Sequence, residues 1–467
     1  MKKNDERIGV ITALGVNGEG IIKEDGTVVF VPFTLVGEKV RYKILKVTSK
    51  CCYAKALEIL TPAEKRVRAN CPVFEKCGGC QLQHIKYVNQ LKIKEEAIVN
   101  TFKKVAGIDV NLLPCVKGDY EFRYRNKLQL PVMQTVKGTL IGFFAENSHR
   151  IVPIDDCPIN AYWTKNIISA FNEYIKKFNI QGYCEATNSG DIREITVKEI
   201  KDRLIITVVS LTNKLIAKEE LINILKSHVK NEFSLYLNVN NNATNVIYGE
   251  KFYLLYGAPD YTAEMLGVKY KIGVQSFMQV NTCVCAKLYS TVKELVDADQ
   301  DTTVIDAYSG AGLMTALLAK NAKKAIGIEI IPEAVACANE LAKFNKLDGK
   351  ITNYLGKCEE ILPDLIEKEK QINSKVCLVL DPPRKGCDIK VLQAILKCDI
   401  EKIVYVSCKP STLARDVGIL VGTLDFIDGE VKRSKTPQAR YKIEYVRPFD
   451  MFAQTKHVET VVCLTRK

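Results

Sequence analysis

The sequence predicts a chain of three parts: a small OB-like β-barrel at 1–61, a central α+β region at 62–265, and a doubly wound, Rossmann-like α/β domain at 266–467. Three observations predict it. Short β-rich runs broken by turn dipeptides fill the start of the chain. Strand and helix patterns then mix without strict alternation. From 266 onward, apolar strands alternate with amphipathic helices, the pattern of parallel βαβ units.

The first part has β-rich runs at 8–14, 20–22, 28–31, 40–47 and 53–59, with turns at Asn17-Gly18 and Asp25-Gly26. Five short strands in this span suit an OB-type barrel, a fold that commonly binds nucleic acid. Thr61-Pro62 marks its end. A helix follows a cysteine cluster, with Ile85, Val88, Leu91, Ile98, Phe102 and Val105 on one face and Gly107 as its stop. The central part carries strands at 128–132, 192–197, 204–210 and 235–239 and helices near 161–178 and 214–229. In the third part, helix 282–297 precedes strand 303–307, helix 312–320, strand 325–329, helix 332–345 and strands 376–380 and 402–407. Runs 441–446 and 458–464 read as a β-pair closing the sheet.

With 467 residues, 47% of them hydrophobic, the chain is long enough for several domains with a sizeable core. It has no apolar run of membrane-spanning length, and its charged start lacks the apolar stretch of a secretion signal. The reading is a cytoplasmic protein with no membrane partner. A net charge of +13 favours a polyanionic partner, because Lys and Arg displace counterions from phosphates. Seventeen cysteines in so large a cytoplasmic chain point to metal ligation, catalysis or unpaired core residues rather than disulfides.

Val304-Ile-Asp-Ala-Tyr-Ser-Gly-Ala-Gly312 is an apolar strand running into a glycine turn and then a helix. Such a turn lets the backbone approach a ligand, and the helix start offers free N–H groups. Glu329 ends the next strand, where a carboxylate can accept both hydroxyls of a ribose. Thr315 occupies the third glycine position of a dinucleotide fingerprint, so the pattern indicates a nucleotide-type cofactor without specifying NAD. Asp306 suits an ammonium-bearing cofactor. Asp381-Pro-Pro-Arg-Lys-Gly386 follows a later strand at the carboxyl edge, where the two prolines stiffen the loop and aim Asp381 into the crevice. Arg384 stands where methyltransferases acting on amines carry an aromatic, which argues against an amine target.

Val406-Ser-Cys-Lys-Pro410 ends another strand at that edge. Cys408 therefore faces the crevice as a candidate nucleophile, with Lys409 and Arg415 as cations favouring its thiolate. Elsewhere, Cys71-x5-Cys77-x2-Cys80 is compact, and Gly78-Gly79 allow a tight wrap. With a fourth cysteine, such a set would hold a four-iron four-sulfur cluster or zinc. Arg123-Tyr-Arg-Asn-Lys127 interleaves basic and aromatic residues in the manner of an RNA contact.

Gln275-Ser-Phe-Met-Gln-Val-Asn281, Asp306-x-Tyr-Ser-Gly-x-Gly312, Asp381-Pro-Pro-Arg-Lys-Gly386, Val406-Ser-Cys-x-Pro-x-Thr-Leu-Ala-Arg-Asp416 and His457-Val-Glu459 occur in the order seen in the RNA uracil-C5 methyltransferases. The chain resembles their ribosomal branch, the bacterial 23S rRNA (uracil-5)-methyltransferases, over nearly its whole length. The N-terminal part is similar to that family's TRAM domain. The resemblance implies S-adenosyl-L-methionine held by Gln279, Tyr308, Glu329 and Asp381, Cys408 as nucleophile, Glu459 as general base, and Phe277 stacked on a base. It implies Cys157 as the fourth cluster ligand beside Cys71, Cys77 and Cys80, and iron–sulfur (4Fe-4S) rather than zinc. It further implies a monomer with an RNA partner, ribosomal ahead of transfer RNA. Four positions depart from the family pattern: Met278, Lys409, Ala453 and Gln454.

Overall fold

The computed structural model describes every residue except 25, 372–374, 399 and 428. Half of the predicted Asp25-Gly26 turn therefore lies outside the described residues, while Gly26 has the positive φ such a turn needs. The chain folds as two units: residues 1–93, 120–257 and 452–456 form one, and 94–119, 258–451 and 457–467 form the other. The boundary read at 265/266 falls within the hairpin of Asp260–Met265 and Val268–Gly273, both of whose strands lie in the second unit.

The first unit opens with a six-stranded sheet in the order Glu6–Val10, Lys39–Val47, Cys51–Thr61, Thr27–Val31, Gly20–Glu24, Ala13–Leu14. The predicted run 8–14 is two strands, not one. Residues 6–10 pair with 39–43, and 13–14 pair with Gly20 and Ile21. The strands at the two ends of the sheet are thus consecutive in the chain, so the sheet curls round and closes at the corner Ile11, whose N–H donates to the Glu38 carbonyl. Alternating residues of 39–47 and their neighbours fill its core, among them Val29, Val31, Val40, Tyr42 and Ile44. Arg66 pairs with the fully buried Glu38 at 2.5 Å, and Phe33 lies edge-on to Phe74, 5.1 Å between centroids. These contacts fix the barrel to the cysteine loop.

A second, seven-stranded sheet of this unit runs Lys251–Tyr256, Glu232–Val239, Arg203–Ser210, Glu194–Ile200, Lys127–Thr135, Gly138–Phe144, Ile151–Pro153. Helices Trp163–Phe178 and Lys218–His228 cover one face, over Leu128, Leu130, Ile195, Val197, Leu204 and Ile206. Period-2 burial of β-branched residues against amphipathic helices accounts for this layer.

The second unit holds a seven-stranded sheet ordered Ile351–Leu355, Lys324–Glu329, Thr302–Ala307, Lys375–Leu380, Lys402–Ser407, Glu459–Arg466, Tyr441–Phe449. The first five are parallel; Glu459–Arg466 runs antiparallel to both its neighbours, so Tyr441–Phe449 runs in the direction of the first five. The order reverses between Thr302–Ala307 and Lys375–Leu380, the switch point at which open α/β sheets bind ligands beyond the carboxyl ends of their strands.

The long helix is Tyr87–Ala106. Its buried stripe is Gln90, Lys94, Ile98, Phe102 and Ala106, an i, i+4 row with two polar members, while the predicted Val88 is exposed. Within the second unit Lys94 donates to Asp450 at 2.5 Å, and both side chains are essentially sealed from water, at 1% and 0% exposure. Among the described residues, no helix is long and apolar enough to cross a membrane.

Candidate active site

The carboxyl edge of the parallel sheet is built by register. Strand Lys402–Ser407 pairs antiparallel with Glu459–Arg466, and its final partners are Ser407 and Thr460. Cys408 follows Ser407 directly, and Glu459, which precedes Thr460 and pairs with Phe449 on its other side, lies near enough to act on the Cys408 thiol electrostatically. The Ser407 hydroxyl accepts from the Lys409 N–H at 3.2 Å, and Pro410 starts the helix Pro410–Leu420. This tight turn holds Cys408 at the strand's tip.

Glu459 is only 6% exposed. Burial pushes its carboxyl up to about 8; nearby Asp381 adds to the rise and Arg384 opposes it. The Cys408 thiol is half-buried and also pushed up, first by burial, then by Glu459; Arg384 opposes, and Asp381 adds a smaller push. Asp381 keeps surface open to the crevice, yet protein surrounds it closely enough that desolvation pushes its carboxyl up to about 7.

The cation facing the thiol is thus Arg384, rather than the Arg415 and Lys409 read from the sequence. Arg415 is committed to Asp416 at 2.6 Å. The signal for Arg384 is its place on the proline-stiffened loop at the same edge.

The glycine turn follows strand Thr302–Ala307. Tyr308 takes a left-handed φ of 67°, unusual for a side chain of its size, and its phenol is held above its ordinary range by burial. Gly310 and Gly312 follow at 54° and 79°. A Cβ on Gly312 would stand 2.7 Å from that of Ala338 on helix Pro332–Phe344, whereas one on Gly310 would meet nothing, leaving room for a ligand at the backbone. Glu329 accepts from the N–H groups of Gly310, Ile330 and Ile331, each at 2.9 Å, so it shapes the turn while retaining lone pairs for a ligand.

Asp306 has a partner within the protein. It is buried, its carboxyl is pushed up to about 7 chiefly by burial, and it accepts from the Thr315 hydroxyl at 2.6 Å. The residue that breaks the glycine fingerprint therefore has a partner of its own. Gln279 lies half-buried in the loop before helix Thr282–Val296, two residues ahead of the N-cap Asn281, whose side chain accepts from Val284 N–H. Phe277 in that loop is 77% exposed.

The second cysteine site lies in the first unit. Cys71, Cys77 and Cys80 occupy an irregular loop, and Cys157 follows strand Ile151–Pro153. All four are free thiols. Burial pushes Cys80 up to about 12 and Cys157 to about 11, and the thiols raise one another: Cys157, Cys77 and Cys71 act on Cys80, and Cys71 and Cys77 on Cys157. Backbone N–H groups of Val73 and Phe74 point at the Cys71 sulfur, that of Gly79 at Cys77 and those of Ile159 and Asn160 at Cys157, while Gln83 bonds to Cys80. Among the described residues, Cys71, Cys77, Cys80 and Cys157 included, no group of three or more Cys, His, Asp or Glu is arranged to hold a metal ion, so the expected metal site is not shown.

The stretch 123–127 makes internal contacts that its pattern does not show. The Arg123 guanidinium pairs with Asp156 at 2.6 and 3.0 Å and donates to the carbonyls of Cys157 and Asn160. Tyr124 donates to the Ala453 carbonyl at 2.9 Å, and Arg125 to that of Lys127 at 3.1 Å. These side chains hold the Cys157 loop and the segment 452–456 in place.

Comparison with known proteins agrees with this edge. A family model described as tRNA (uracil-5-)-methyltransferase matches residues 86–467. An uncharacterized RNA methyltransferase of Clostridium tetani is 38% identical over the whole chain and 97% of its own length, and one of Clostridium acetobutylicum is 38% identical over the whole chain and 98% of its own. The fold matches that of the Pyrococcus abyssi tRNA (uracil-54, C5)-methyltransferase, solved with S-adenosyl-L-homocysteine, at a TM-score of 0.75 and 24% identity over 98% of this chain and all of that one. With a family match running from residue 86 to the C-terminus and relatives aligned end to end, the chain is an enzyme of the tRNA (uracil-5-)-methyltransferase family.

Proposed function

We propose that the enzyme transfers a methyl group from S-adenosyl-L-methionine to C5 of a uridine in 23S ribosomal RNA, with Cys408 as covalent nucleophile and Glu459 as general base. The observation that supports this reading is the register ending at Ser407 and Thr460, the chain neighbours of Cys408 and Glu459, together with the influence of Glu459 on the Cys408 thiol. C5 of uracil is a weak nucleophile. The Cys408 sulfur adds to C6, and the electron pair displaced onto C5 makes that carbon reactive. S-adenosyl-L-methionine, when bound, supplies the electrophilic methyl group. Glu459 then takes the C5 proton; the C5–C6 double bond re-forms and the sulfur leaves with its bonding pair. Arg384 opposes the protonation of both groups.

Tyr308, Glu329, Asp381 and Gln279 are the residues we assign to the cofactor. The turn that Glu329 holds by three N–H bonds supports this, as does the open space at Gly310. Exposed Phe277 stacks on a base. The target uridine has to be unstacked, since the attack needs the ring face. The barrel offers a further RNA contact: Phe30 and Tyr53 stack at 5.6 Å, and Lys46 and Lys55 lie beside Tyr53 on the paired strands.

We assign Cys71, Cys77, Cys80 and Cys157 to a four-iron four-sulfur cluster, in which each thiolate would hold its own iron; the mutual influence of the four thiols supports the assignment. The N–H groups aimed at the sulfurs support it, since they stabilise thiolates. The four side chains would hold the cluster for folding and leave methyl transfer to the other site. A ribosomal target, a cytoplasmic location and a monomeric state complete the reading.

Two measurements test it. RNA carrying 5-fluorouridine has no C5 proton to give up and should trap a covalent link to Cys408; methylation without any such adduct overturns the mechanism. Mass spectrometry of nucleosides from a deletion strain should show 5-methyluridine lost from ribosomal RNA; loss confined to transfer RNA overturns the substrate.

A further inference from the structure

Behind the active-site edge lies a sealed polar hub that the reaction outlined above does not use. Asp416, on helix Pro410–Leu420, is fully buried. Its Oδ2 accepts from the Tyr405 hydroxyl at 2.6 Å and from the Cys387 N–H at 2.8 Å, and its Oδ1 accepts from Arg415 Nε at 2.6 Å. Tyr405 lies on strand Lys402–Ser407 and is also fully buried. Cys387 closes the loop that begins at Asp381. Arg415 extends the hub by donating to the carbonyls of Lys385 at 3.2 Å and Cys387 at 3.1 Å. Thr412, one turn ahead of Asp416, donates to the Arg384 carbonyl at 3.3 Å. The Cys387 sulfur meets the Tyr405 hydroxyl at 3.5 Å.

The bonds to Cys387, Lys385 and Arg384 join the loop 381–387 to helix Pro410–Leu420, the Cys387 sulfur joins it to Tyr405, and the Tyr405–Asp416 bond ties together the two elements that flank Cys408 in the chain. The fit is close: Gly386 has φ 77°, and a Cβ there would stand 2.6 Å from Asp416 Oδ2 and 2.7 Å from Arg415 Nη2. A buried carboxylate with three donors is costly to assemble and rigid once assembled. The loop it grips carries Asp381 and Arg384, two of the three charged groups that face the thiol; the third is Glu459.

We propose that Asp416 is a positioning residue: it clamps the loop 381–387 against the nucleophile's strand and helix and so keeps the Arg384 charge trained on Cys408. It touches neither RNA nor the methyl donor and acts only through that loop. Losing the clamp lets Arg384 drift, and the thiol then ionises at higher pH.

The inference rests on the assignment of Cys408 as nucleophile, but its test needs no methyl transfer. Alkylation of Cys408 by iodoacetamide, read by peptide mass spectrometry from about pH 6 to 9, reports the thiolate directly. Asp416→Asn should move the midpoint up by about half a pH unit or more, and Tyr405→Phe, which removes one donor without changing volume, should move it less in the same direction. With RNA as substrate, Asp416→Asn should lower kcat about tenfold while KM for RNA stays within about twofold. A folded Asp416→Asn protein that alkylates with the wild-type midpoint overturns the proposal. If that variant does not fold, an unshifted midpoint in Tyr405→Phe does so. A shifted midpoint in an enzyme that forms no adduct with 5-fluorouridine RNA would sustain the clamp and sink the nucleophile's role.

Discussion

In the loop around Cys71–Cys80 and at Cys157, four thiols lie among one another and among N–H donors. At the sheet edge, one thiol lies between two carboxyls and a guanidinium. Burial raises the thiols in both places, but what surrounds them differs. N–H groups aimed at sulfur stabilise a permanent thiolate once a positive partner is present. At Cys408 the carboxyls of Glu459 and Asp381 favour the protonated thiol and the Arg384 guanidinium opposes them. On the proposed reading, the same residue type serves a scaffold in one unit and a reaction centre in the other, and the neighbours make the distinction.

Breaking each site in turn should separate these roles. The largest effect belongs to Cys408→Ala: methyl transfer should fall by at least about a thousandfold, with the melting temperature within about 1 °C of wild type and iron content unchanged. Retained activity would erase the distinction between the two sites.

Glu459→Gln comes next, with turnover about a hundredfold lower or less and a covalent RNA adduct accumulating, because addition precedes proton removal. The same variant tests the electrostatics. The folded Glu459 carboxyl is raised from 4.5 to about 8, so the folded state holds a proton that the unfolded state gives up, and stability falls as pH rises through that window. Glu459→Gln should therefore melt above wild type at pH 8 and above, with the gap closing toward pH 5. A gap that grows on acidification would show that the carboxyl is not raised.

Cys77→Ser should leave the edge chemistry intact in whatever protein folds, yet strip iron and lower the melting temperature by about 5 °C or more in a thermal scan. The smallest effect is expected of Arg123→Ala, which removes the clamp on Asp156 beside Cys157. It should lower the melting temperature by about 2–4 °C and make the iron easier to chelate, without altering the pH dependence of Cys408 alkylation.

The glycine turn was legible because its signals are local: an apolar strand, Gly310 and Gly312 and a following helix lie within one short stretch. The proximity of Cys408 and Glu459 was not local. It depends on an antiparallel ladder between strands some fifty residues apart, and no spacing encodes which residue faces Ser407; only the family pattern pointed to Glu459. Strand Ile351–Leu355 went unread because it is a half-exposed edge with polar members, and helix Cys358–Gln371 because Pro363 reads as a breaker. The ion pair of Arg123 was illegible for a related reason. Its partner Asp156 lies thirty-three residues away.

The course of the backbone has a practical consequence for anyone dividing this enzyme. No single cut yields the catalytic half. A fragment starting at 258 would lack Ile98, Phe102 and Ala106, which fill the core of its sheet, and would leave Asp450 sealed from water without the ammonium of Lys94. Removing the cationic partner of a buried carboxylate is strongly destabilising. Truncations made to isolate the methyl-transfer machinery should therefore give insoluble protein, whereas supplying 94–119 by circular permutation or as a fused segment should restore a folded product.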